Sequence, residues 1–114
     1  MALPRTVSEY LANLRTDIKR VTIEDHMAFV VAARHCAETF RRYMAVTGDQ
    51  SLAIDNVVSK CSILAEEIKA HPGENTDQIK RLRRAALDAV EELATVIGDA
   101  EPSHEAMILP LVRR

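Results

Sequence analysis

Apolar residues recur along this chain every three to four positions in four blocks, and charges occupy the opposite positions. That is the signature of amphipathic helices, each burying one stripe. Thr6 and Glu9 have the spacing of a capping box, which predicts a first helix from about Val7 to Arg20. Its stripe is Val7, Tyr10, Leu11, Leu14, Ile18 and Val21. The β-branched trio Val21-Thr22-Ile23 predicts a kink or a tight joint, with Thr22 and Asp25 placed to cap a new helix.

The second block predicts the longest helix, from about Ile23 to Val46, with Phe29, Ala33, Cys36, Ala37, Phe40, Tyr43 and Met44 on one arc. His26 falls on the core side, whereas Met27 and Val31 fall off the main stripe, so the first half is apolar almost all round. Gly48 reads as a C-terminal stop, and Asp49 or Ser51 as the cap of a third helix reaching Ala70. That helix buries Ala53, Ile54, Val57, Val58, Cys61, Leu64, Ala65 and Ile68, and leaves Leu52 and Ile63 on its far side. His71-Pro72-Gly73 ends it. Asn75 or Thr76 caps a fourth helix that runs to about Ile97 and stops at Gly98, with Ile79, Leu82, Ala86, Val90, Leu93, Ala94 and Ile97 as its stripe. Beyond Pro102, Ser103 can cap one or two further turns up to Leu109.

The expected fold is therefore all-α: an antiparallel four-helix bundle with a short first helix, three long ones and a short C-terminal helical appendage. Short connections make successive helices antiparallel neighbours. With 114 residues the chain reads as a single domain, residues 1–114, large enough to bury one core without staples. Three glycines and four prolines are too few for an all-β chain. Only four aromatic residues are present, so the core must be largely aliphatic.

Charge narrows the function. Fifteen basic and seventeen acidic residues leave a net charge of −2, which argues against a dedicated nucleic-acid binder. Cys36 and Cys61 fall on apolar arcs and are expected to be free, buried thiols. With no apolar segment behind Met1–Arg5 to form a signal peptide, they point to a reducing, cytoplasmic setting. The longest apolar run, Met27 to Ala33, is far too short to span a bilayer, so no membrane association is expected.

No catalytic constellation is laid across these helices. The scattered His26, His35, His71 and His104 and the absence of any CxxC leave no metal signature; the one Glu-x-x-His spacing, Glu101 to His104, is interrupted by Pro102. Glu66-Glu67 and Glu91-Glu92 invite comparison with the magnesium-binding helices of MazG-type pyrophosphohydrolases. The acid that completes each motif is replaced by Ala70 and Thr95. Glycine-rich phosphate loops and a GxSxG elbow are absent, so neither cofactor nor metal nor enzymatic activity is expected.

What remains is a non-enzymatic protein–protein interaction or regulatory protein, expected to be a homodimer or to bind a protein partner. Its candidate contact residues are Met27, Val31, Leu52, Ile63, Arg83, Met107, Ile108 and Leu109. Arg83 sits at the edge of the fourth stripe, where its stem can lie on the core or its guanidinium meet a partner. The run Met107–Val112 is conspicuously apolar and is followed by Arg113-Arg114. Two alternatives remain. The basic cluster Lys80, Arg81, Arg83 and Arg84 would suit a small helical nucleic-acid-binding regulator, with Asp77 and Asp88 spaced to pair with Lys80 and Arg84. His35, on the polar face of the second helix after Ala32-Ala33-Arg34 and ten residues beyond Asp25, loosely resembles the phosphoacceptor of the histidine phosphotransfer domain. The resemblance covers the layout of helices two to four and implies a signalling module. It departs at Glu38 and Thr39, where that family usually has lysine and glycine.

Overall fold

The computed structural model of the protein describes residues 6–43 and 46–98, with only the backbone of Tyr43. These residues form an all-α, antiparallel four-helix bundle: α1 (Val7–Arg20), α2 (His26–Tyr43), α3 (Gly48–Ala70) and α4 (Asp77–Gly98). No strand occurs among the described residues. The expected C-terminal appendage, with Met107, Ile108 and Leu109, lies outside them, as does Met44.

Local chemistry sets the ends of each helix. Thr6 is the N-cap of α1, its hydroxyl oxygen accepting the Glu9 N–H at 3.1 Å. The Glu9 carboxylate accepts in turn from the Thr6 hydroxyl at 3.2 Å. At the other end, the N–H of Thr22 is accepted by the Asp25 carboxylate at 2.7 Å instead of by an α1 carbonyl. This ends α1 without glycine or proline, and residues 23–25 form a turn, so α2 starts at His26 and not at Ile23 as expected from the sequence. α1 and α2 are thus separate helices joined by five residues.

The start of α3 also corrects the expectation from sequence. Gly48 is the first residue of α3, not a stop for α2, and Val46 lies outside both helices. The N-cap is Thr47, not Asp49 or Ser51. Its hydroxyl accepts the Gln50 N–H at 3.2 Å, while the Gln50 side-chain oxygen accepts the Thr47 N–H at 3.0 Å, completing a capping box. The N–H of His71 caps the far end against the carbonyls of Glu67 and Ile68. Gly73 then takes φ +77°, a conformation that would strain any side chain, and lets the chain reverse. Thr76 supplies the next cap, its hydroxyl accepting the Ile79 N–H at 3.1 Å.

The helices enclose one aliphatic core in which each contacts its neighbours in sequence, and α1 closes the ring against α4. Ile18, Phe40, Ile54, Leu64, Ile79 and Leu93 are among its fully buried side chains. The expected stripes hold closely: Val7, Leu11, Leu14 and Ile18 are buried on α1, and Phe29, Ala33, Cys36, Ala37 and Phe40 on α2. Ala89 joins the α4 stripe, while Leu82 and Ala94 sit half-buried at its margin. Tyr10 and Phe40 meet edge to face with ring centroids 5.8 Å apart, joining α1 to α2.

Candidate interaction surfaces

Both thiols are free and buried. Burial pushes Cys36 up to about 12, helped by the nearby Cys61, and pushes Cys61 up to about 12, helped by Asp17. Neither offers a thiolate for nucleophilic chemistry near neutrality. Among the described residues, no three His, Cys, Asp or Glu side chains converge as metal ligands, and no helix is long and apolar enough to cross a membrane.

Arg83 is turned inward. Its guanidinium donates to the Ile18 carbonyl at 2.6 Å and to the Val21 carbonyl at 3.2 Å. The Ile18 carbonyl lacks its regular helical donor because the Thr22 N–H has gone to Asp25. A cation there also meets the negative end of the α1 dipole. Burial draws the Arg83 pKa below its ordinary value, and its guanidinium serves as a cap delivered from another helix. Nothing in the sequence around Arg83 announces this role, because the acceptors lie more than sixty residues away.

Around Arg83 lies an open groove of about 890 Å³ between the α1–α2 turn, the α3–α4 turn and α4. Lys19, Lys80 and Arg84 line it, but Glu24, Glu74 and Asp88 line it too, so its charges nearly balance. Lys80, Arg81 and Arg84 are exposed, and the ion pairs expected with Asp77 and Asp88 are absent among the described residues.

His35 is exposed on α2 in a shallow depression shared with Glu38, Thr39, Arg41 and Arg42. Thr39 is buried, and its hydroxyl donates back to the His35 carbonyl at 2.9 Å. Arg41 is turned toward α3, where it pairs with Asp55 and reaches the Ser51 carbonyl at 3.4 Å.

The apolar candidates separate into two places. Met27 and Val31 are 72% and 65% exposed, one turn apart on the side of α2 opposite its buried arc. Ala28, Ala32, Arg34 and Glu38 are exposed around them. Leu52 and Ile63 are 70% and 45% exposed on α3 and lie three turns apart. Leu52 edges a second groove, of about 670 Å³, where the start of α3 meets the end of α4. Gln50, Ala53 and Asn56 line it from α3, and Glu92 and Val96 from α4. In the sequence Gln50 is marked only by its capping-box spacing from Thr47 and by its place on the inward-facing α3 stripe. It is only 3% exposed, and its side-chain oxygen is taken by the Thr47 N–H. Its side-chain NH₂ has no hydrogen-bond partner among the described residues. Compared with known proteins, the chain matches no family model, no curated protein and no solved structure.

Proposed function

We propose that this protein is a non-catalytic interaction module that pairs with a second copy of itself through the outer face of α2. The observation that carries the reading is the exposed Met27–Val31 pair on a helix whose inward face is already fully packed. Two large apolar side chains one turn apart form an anchor, and Ala28 and Ala32 beside them permit close approach.

The flanking charges favour a second copy over an unrelated partner. In an antiparallel crossing of two α2 helices centred at the level of Phe29, Met27 meets the partner's Val31, and Glu24, in the turn just before α2 and at the edge of the groove around Arg83, comes within reach of the partner's Arg34. Both Glu24 and Arg34 are exposed and lack an ion-pair partner within the chain among the described residues. Every contact made in one direction is made again in the other, as a two-fold interface requires. A single helix face falls short of the ~800 Å² per partner typical of stable complexes, so the dimer is expected to be weak and to depend on concentration.

Sedimentation of the full chain across a concentration series tests this. The 12.7 kDa protomer is expected to dimerise with concentration, and Met27→Glu to remain monomeric. Arg34→Glu is expected to weaken association by about tenfold, or roughly 1.4 kcal/mol, and Glu24→Arg in the same chain to restore it. A protein that stays monomeric up to millimolar concentration, or a charge swap that fails to rescue, overturns the reading.

A further inference from the structure

The groove between the start of α3 and the end of α4 is unrelated to the α2 face and is incompletely filled. We infer that this groove is the docking site for the chain's own apolar segment Met107–Val112, held by Leu52, Val96 and the side-chain amide of Gln50.

Position favours this occupant. Val96 lines the groove two residues before α4 ends at Gly98, so the chain leaves the helix at the groove itself. The eight residues 99–106 can extend at most roughly 26–29 Å, more than a return over one helix diameter requires. Chemistry favours it as well. Leu52, Ala53 and Val96 offer apolar contact to an aliphatic run. The Gln50 NH₂ is a buried donor without an acceptor among the described residues, a state that native structures seldom leave unresolved. A segment containing Pro110 suits it, because proline contributes a carbonyl and no competing N–H. Charge agrees too: Asp49 and Glu92 stand at the groove, and Arg113 and Arg114 come directly after the apolar run. Docking then covers Leu52 and gives the amide a backbone acceptor in one step.

Thiol labelling of the full chain tests the inference, since the native Cys36 and Cys61 are buried and are expected to give only a slow background in the folded protein. Asn56→Cys places a reporter in the groove, and Ser59→Cys places a control on the exposed side of α3. The groove thiol is expected to label about tenfold more slowly than the control, at every protein concentration. Adding Ile108→Asp and Leu109→Asp to the groove reporter is expected to remove the protection while circular dichroism stays unchanged. Equal rates at the two positions, or protection that survives both tail substitutions, overturn the inference. Protection that grows with protein concentration overturns it too, since the segment then comes from another copy.

Discussion

The two sides of this bundle are held together differently. Along α2, α3 and α4 the contacts are close and dry: the side chains of Phe40, Ile54, Cys61, Leu64 and Val90 are fully buried, and α3 and α4 pack along most of their length. α1 meets α4 more sparsely, and there the contact is closed by polar ties. Arg83 caps the end of α1, and Arg15 forms a two-pronged pair with Glu91. Dry packing is non-directional and cooperative, so its loss spreads through the domain. A polar tie fixes one end of one element and can be lost locally. The chain thus has a three-helix body held mainly by dry packing, with Arg41 adding a tie to Asp55, and a first helix whose buried stripe is supplemented by polar ties to α4.

That contrast can be broken at its strong side first. Leu64→Ala removes a fully buried side chain from α3 and is expected to cost about 3–5 kcal/mol, with all four helices losing hydrogen-exchange protection together. Urea denaturation with exchange mass spectrometry reads both effects.

Arg83→Met keeps most of the stem but leaves the Ile18 and Val21 carbonyls without a donor, at an expected cost of about 1–3 kcal/mol. Here exchange should rise in α1 well before it rises in α3. Uniform loss across the four helices would place Arg83 in the same cooperative unit as Leu64.

The smallest effects separate the two sides by pH. Cys36 and Cys61 have folded pKa values raised to about 12, against roughly 8.5 in an unfolded chain. Their contribution is intact below the unfolded value and is lost as pH rises from there toward the folded one. The hydrogen bond from Arg15 is the largest cause holding Glu91 below its usual 4.5; burial opposes it, and the charges of Arg15 and then Lys19 add to it. The stability Glu91 supplies is present above the unfolded value and is lost as pH falls through the folded one, worth about 0.2–1 kcal/mol for so exposed a pair. Urea midpoints against pH should therefore lose alkaline slope in Cys36→Ala/Cys61→Ala and acid slope in Arg15→Ala. Unchanged slopes in both would mean that other groups control the titration.

The dry side is also the side that was legible in the sequence. Hydrophobic period alone placed Phe40, Leu64, Cys61 and Val90 inward, because burial of a helical stripe depends on local spacing and little else. The polar ties were hidden. Arg83 finds its acceptors only after α1 is brought against α4, and those acceptors are free only because Asp25 draws away the Thr22 N–H. Thr47 was a different matter: Thr47 and Gln50 carry a capping-box spacing, but the stop signal at Gly48 masked it. For the contact surfaces, spacing marked Met27, Val31, Leu52 and Ile63 as lying off their stripes. It could not show that the first two sit apart from Leu52, or that Leu52 borders a groove lined by the Gln50 amide.

The Tyr10–Phe40 contact gives the molecule an optical handle. The chain has no tryptophan and two tyrosines, and one of them stands edge-on to a phenylalanine across the α1–α2 seam. With Tyr43→Phe silencing the other emitter, near-ultraviolet fluorescence arises from Tyr10 alone. Its quantum yield and anisotropy then report the seating of the first helix directly, without any dye attached to the protein.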